Sequence, residues 1–148
     1  MISVVDFDRD RLRPLLDCGS SLFQLVSYEW ERVDGALITA SIRMDRKLYK
    51  WTGARRLQNW NHDEARFDVI EEMMPVELLE WFRENEEKAL LIIEDSHLLF
   101  EPSNMERGHI IWWLREMARM TKSDGKCVIL GTVNPTPVIE LDKEMPII

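Results

Sequence analysis

Two cysteines in 148 residues are too few for a disulfide framework. Cys18 and Cys127 both flank apolar stretches, the setting of reduced, buried thiols in a cytosolic protein. No apolar run approaches the roughly eighteen residues of a membrane-spanning helix. The opening Met1-Ile2-Ser3-Val4-Val5-Asp6 lacks the basic-then-apolar order of a signal peptide. A cytoplasmic location with no membrane partner is therefore expected. His62, His97 and His109 share no metal-ligand spacing and no C-x-x-C pair exists, so no metal site is expected. Ser96 beside His97 lacks the aligned third member of a nucleophilic centre. Positive charge is also short: 19 Lys and Arg against 27 Asp and Glu leave a net −8. That balance speaks against nucleic-acid binding, which rests on phosphate neutralisation.

What is present is a chain 45% hydrophobic and 31% charged, long enough for one domain with a real core. The charge is uneven. Arg43 to Arg56 holds Arg43, Arg46, Lys47, Lys50, Arg55 and Arg56 against Asp45 alone. Glu71 to Glu101 holds ten acids against Arg83 and Lys88. Two readings stay open: two solvated faces, or opposite patches that meet head to tail between copies or domains. On the second reading Arg43, Arg46, Arg55 and Arg56 are interaction candidates. Six tryptophans are many for this length. Trp30, Trp81 and Trp112 fit their helical stripes poorly, and Trp112 joins the interaction candidates as an exposed anchor.

Asp6 is placed to cap a first helix over Phe7 to Asp17, shortened or kinked by Pro14. Leu22 to Tyr28 reads as a strand and Glu29 to Met44 as a helix, with Val33, Ala36, Leu37, Ala40 and Met44 near one stripe. Lys47 to Trp51 is a more polar strand, expected nearer a sheet edge. Thr52 to Met74 has no sustained period and is left as a short hairpin or a turn of helix. Pro75 suits the first position of a helix running to Asn85. Ser103-Asn104-Met105-Glu106 reads as a capping box opening a helix to about Met120. Ser123-Asp124-Gly125-Lys126 reads as a turn, Cys127 to Leu130 as a buried strand, and Pro137 to Leu141 as a helical turn. A fifth strand could start at Ile147-Ile148.

The chain turns on Ala89-Leu90-Leu91-Ile92-Ile93-Glu94-Asp95-Ser96-His97. Five unbroken apolar residues suit a strand buried on both faces. Glu94 and Asp95 then fall at its carboxyl end, the edge where ligands bind in open α/β sheets. Alternating strands and helices indicate an α/β fold with a mostly parallel sheet of four to five strands and helices on both faces.

The pattern resembles the Walker B strand of P-loop ATPases. With Leu22 to Arg32, Tyr49-Lys50-Trp51 and Gly131-Thr132-Val133-Asn134-Pro135 through Leu141, the order of motifs resembles an AAA-type ATPase module. More narrowly, it is similar to the N-terminal, degenerate ATPase-like domain of the AAA proteins known as conserved reading frames in plastids and cyanobacteria. The resemblance implies a sheet in the order 5-1-4-3-2. It implies one degenerate domain over residues 1–148, stand-alone or cut before or within a fifth strand. The family's second, complete AAA domain is absent from this sequence.

The departures are chemical. A phosphate loop needs G-x-x-x-x-G-K-[ST] after the first strand. Here Ser27-Tyr28-Glu29-Trp30-Glu31-Arg32 has neither glycine nor lysine, and its carboxylates sit at a helix N-terminus where a phosphate would compete. Gly125-Lys126 precedes a strand and is a decoy. The expectation is a non-catalytic regulatory or protein-interaction module with no cofactor, no metal and no catalytic residue. Its partner would be an AAA ATPase domain, or another copy by self-association. The alternative is an ATP-binding or hydrolysing domain with an atypical phosphate site. In that case Glu94, Asp95 and Asn134 would be catalytic, Asp95 would hold Mg²⁺, and Tyr28, Glu29, Arg32, Asp95 and Thr132 would contact ATP. The resemblance also makes Thr132 and Asn134 the polar sensor that watches the γ-phosphate; for Asn134 a plain turn before Pro135 stands beside that role.

Overall fold

Alternation along the strands decides the architecture. In the computed structural model, which describes residues 11–17, 19–53, 56–85, 87–119 and 125–148, all five residues of β5 (Ala89–Ile93) are buried. Ala89, Leu91 and Ile93 enter one core, Leu90 and Ile92 the other. Side chains of period two can do this only where helices cover both faces of the sheet. Leu22, Tyr49, Trp51, Val128 and Leu130 join the first core, and Phe23, Leu25, Leu48, Cys127 and Ile129 the second.

Helices supply the outer layers. α1 (Arg13–Asp17) and α2 (Trp30–Arg43) cover the second core through Leu16, Val33, Ala36, Leu37 and Ala40. α3 (Pro75–Glu84) and α4 (Arg107–Ala118) cover the first through Leu78, Leu79, Phe82, Ile110, Leu114 and Met117. Pro75 opens α3, where its missing N–H leaves no bond unmade, and Glu77 accepts the Met74 N–H. The expected first helix is described from Arg11 onward. Asp6 and Cys18 lie outside the described residues.

Among the described residues the sheet has six strands in the order β1-β6-β5-β2-β3-β4, which corrects both the count of four to five and the order 5-1-4-3-2. β1 (Leu22–Val26), β6 (Lys126–Thr132), β5 and β2 (Lys47–Trp51) are parallel neighbours. β3 (Arg56–Asn61) and β4 (Arg66–Glu72) add an antiparallel hairpin beyond β2. The hairpin comes from the stretch without a period. Leu57 and Met73 dip into one core while Trp60 and Phe67 pack on the other, and Val69 and Ile70 stay exposed. A register shift at Leu57/Gln58 breaks the alternation further. The hairpin also places β2 inside the sheet and not near its edge. On the far side Ile147 forms an isolated parallel bridge to Gln24.

The capping box is corrected too. α4 starts at Arg107, and Asn104 does the local work. Its side chain accepts the Glu106 N–H at 3.1 Å and donates to the Leu99 carbonyl at 2.9 Å. An amide can do both at once, whereas the carboxylate of Glu106 can only accept. Met120, Ser123 and Asp124 lie outside the described residues. Gly125 takes φ +67°, a left-handed turn that favours glycine.

Candidate functional site

The parallel strands bring their carboxyl ends to one edge. At the end of β5 the Glu94 N–H still donates to the Trp51 carbonyl at 3.0 Å, so the ladder runs one residue past the strand. Asp95 then turns left-handed at φ 52° and exposes its carboxylate. The following turn, Ser96–Phe100, is tied to β6 by the buried Ser96 hydroxyl, which donates to the Gly131 carbonyl at 3.1 Å.

The two acids have different fates. Glu94 Oε1 lies 3.2 Å from the Lys50 ammonium. Lys50 Nζ also lies 2.6 Å from Asp34 Oδ2 and 4.2 Å from the centroid of the Phe67 ring. The Lys50 side chain is only 9% exposed. A carboxylate already satisfied by a fixed ammonium has little to offer a divalent cation. Among the described residues no three His, Cys, Asp or Glu side chains are grouped to hold a metal.

The loop after β1 is closed on itself. Ser27 Oγ accepts the Glu29 N–H, and the Glu29 carbonyl accepts the N–H groups of Arg32 and Val33. Glu29 and Arg32 pair at 2.7 Å. Trp30, between them, lays its ring against β6: a Cβ added to Gly131 would stand 2.9 Å from Trp30 Cη2. Gly131 is therefore a close-approach glycine, and the indole covers the end of β6. Tyr28 points outward and is 77% exposed.

After β6, the Thr132 hydroxyl donates to the Asn134 carbonyl at 3.0 Å and the Thr136 hydroxyl does so at 3.1 Å. Asn134 is exposed. Tyr28, Glu29, Arg32, Glu94, Asp95, Thr132 and Asn134 thus share one edge, but Glu29 and Arg32 spend their charges on each other and Thr132 spends its hydroxyl on a turn.

The described residues of the basic stretch are spread along the length of β2. β2 carries the chain about 16 Å from one end of the sheet to the other. Arg43 and Arg46 stay at the amino end, Lys50 is buried toward the carboxyl end, and Arg56 opens β3 at the carboxyl end. Arg43 pairs with Asp17 at 3.2 Å, and Lys47 with Glu87 at 3.8 Å. Arg55 lies outside the described residues. Trp112 is 52% exposed and meets Trp113 edge to face. Trp30 and Trp81 are partly buried.

Sequence reasoning missed Asp34, Lys50, Phe67 and Gln24. Lys50 had a signal: a lysine one residue from Tyr49 and Trp51 in a strand must face the opposite core and needs a counter-charge there. Gln24 is fully buried in β1, and its amide clasps Thr136, donating to its carbonyl and accepting its N–H, both at 2.8 Å.

A parallel-cored α/β sheet covered on both faces, with polar strand ends gathered along one edge, defines the class. Over residues 8–148 the chain matches the family described as SpoVK-like AAA ATPase, N-terminal domain, and it belongs to that family. No curated protein and no solved structure matches it.

Proposed function

We propose that this chain is a non-catalytic, ATPase-like domain that regulates or docks onto an AAA ATPase domain, in the same or a neighbouring chain. The observation that carries the reading is Trp30 packed against Gly131. The residues of the β1–α2 loop do not fit a triphosphate. An indole covers the strand end, Glu29 holds the start of the helix, and Lys50 already neutralises Glu94. The reading takes residues 1–148 as one cytoplasmic domain needing neither nucleotide nor metal. Within the family we group it with the degenerate domains of the plastid and cyanobacterial conserved-reading-frame proteins, on the motif order from Leu22 to Leu141. Thermal melting with and without MgATP tests the reading: no shift at millimolar nucleotide is expected, and a clear shift overturns it.

A second reading, an atypical ATP site, is favoured by one observation. Asp95 and Asn134 remain exposed at the same edge. It requires nucleotide turnover in the parent chain that falls in Asp95→Asn. Absence of turnover in the parent removes it.

A further inference from the structure

The carboxyl end of the sheet carries a second feature on the face covered by α3 and α4, opposite the face on which Trp30 packs. A pocket of about 210 Å³ opens there, with Trp51 and Leu99 as its buried floor and Met74 and Leu98 on its rim. The rim residues are 40% and 48% exposed. A second hollow of about 210 Å³ adjoins it through Met74 and lies between Glu72 and Glu77. The first is lined more by apolar than by polar groups and the second by Met73 and Met74 between two glutamates; exposed apolar surface with a polar rim marks an interaction site.

Every charged residue that lines them, among the described residues, is an acid. Glu94, Asp95 and Glu106 line the first hollow. Lys50 neutralises Glu94, but among the described residues Asp95, Glu106, Glu72 and Glu77 form no ion pair. Arg107 turns away from its neighbour Glu106, donating to the Phe100 carbonyl and pairing with Glu140 at 3.2 Å. Arg56 stands opposite Glu72 in the ladder without an ion pair to it.

We propose that this double hollow docks a basic polypeptide segment of a partner protein. One apolar side chain of the segment sits over Leu99 and Trp51, and its Lys or Arg residues face Asp95, Glu106 and Glu72. The proposal rests on reading the chain as an interaction domain and names the chemistry of its partner. An acidic segment would bring like charges together, and a neutral one would strip water from carboxylates without a counter-charge. The thioether of Met74 adapts to more than one anchor shape. The apolar anchor supplies affinity, and the charged flanks supply orientation and a dependence on salt.

Fluorescence anisotropy of labelled synthetic peptides titrated with the full chain tests this. The first peptide alternates Lys and Arg with Leu. The second has Ser in place of Leu, and the third has Glu in place of Lys and Arg. Binding of the first alone is expected, weakened by salt. The double variant Asp95→Lys/Glu106→Lys and the single variant Leu98→Ser should each lower affinity about tenfold or more. All three positions face solvent or the pocket, and an unchanged melting temperature confirms that each variant folds. Equal binding of the serine peptide, or full binding by both variants, overturns the proposal. So does a self-associated chain, seen by sedimentation, that these variants return to monomer, since the occupant would then be a second copy. The MgATP melt is independent: a shift with peptide binding intact removes the non-catalytic reading alone, and no shift with no binding removes this proposal alone.

Discussion

Lys50 reaches Asp34 at 2.6 Å, joining the middle of the sheet to the helix that follows the first loop. The contact fixes α2 against β2 and holds Glu94 with the same ammonium. Replacing Lys50 by Met strands two carboxylates beside the Phe67 ring. Their side chains keep 27% and 25% exposure, so the loss is below that of a fully buried pair, roughly 2 kcal/mol. Urea denaturation should show it, and adding Glu94→Gln should return part of the loss. A Lys50→Met chain as stable as the parent would mean that the ammonium holds nothing.

The contact between Trp30 and Gly131 is tested by a double-mutant cycle. Gly131→Ala places a methyl 2.9 Å from the indole and 3.2 Å from Ile92 Cδ1, an overpacking worth about 1–3 kcal/mol. In a Trp30→Ala background the same methyl finds room. The two changes should therefore be non-additive by on the order of 1 kcal/mol. Strict additivity would place the ring somewhere else.

Tyr49 makes stability fall at high pH. Its hydroxyl donates to Glu87 at 3.0 Å, and burial first, then that bond and the Glu87 charge, push its pKa up to about 12. The folded value lies above the unfolded value near 10. The stabilising contribution is thus complete below pH 10 and is lost as pH rises through about 12. Tyrosinate absorbance in a Tyr28→Phe chain, where Tyr49 is the remaining tyrosine, should titrate late. Tyr49→Phe should flatten the alkaline limb of a melting-temperature profile.

Cys127 is buried in β6, and burial pushes its thiol well above the usual range. The thiolate is the reactive form, so the side chain is inert while the fold holds. In a Cys18→Ser chain, thiol labelling should track denaturant unfolding. Fast labelling of the native chain would contradict the packing of this strand.

The legible parts were those where one physical rule acts alone. Ala89 to Ile93 read as an internal strand, because five apolar residues in a row suit a strand with both faces covered. Val33, Ala36, Leu37 and Ala40 declared α2 by spacing. The hairpin hid because its residues divide between two cores and solvent, so no period builds up between Arg56 and Glu72. The polar strand Lys47 to Trp51 looked marginal because its charge was counted without its partners. Asp34 lies sixteen residues earlier and Glu94 forty-four later, a pairing that only the tertiary fold makes visible. The basic stretch shows the converse: Arg43 and Arg56, close in sequence, are carried apart by the strand between them. At the site, the missing glycines of the first loop were plain from sequence. The ring that takes their space was seen there only as bulk, since the close approach depends on Gly131, about a hundred residues away.

Gln24 holds the segment after β6 to the edge of the sheet. Its side chain is fully buried, with both amide atoms engaged by Thr136. Its backbone N–H donates to the Pro146 carbonyl at 2.8 Å, and its carbonyl accepts the Ile148 N–H at 2.9 Å. One residue thus gathers two separate stretches of the chain. Gln24→Leu keeps the backbone bonds and the volume but leaves the Thr136 N–H and carbonyl without partners. The expected loss is about 2–3 kcal/mol, the cost of stranding partly buried polar groups. A local readout separates this from a general loss of packing. Hydrogen exchange at Thr136 should accelerate more than exchange in β5, whose ladder the substitution does not touch. Equal acceleration at both places would mean that Gln24 supports the core as a whole and not the loop that carries Asn134.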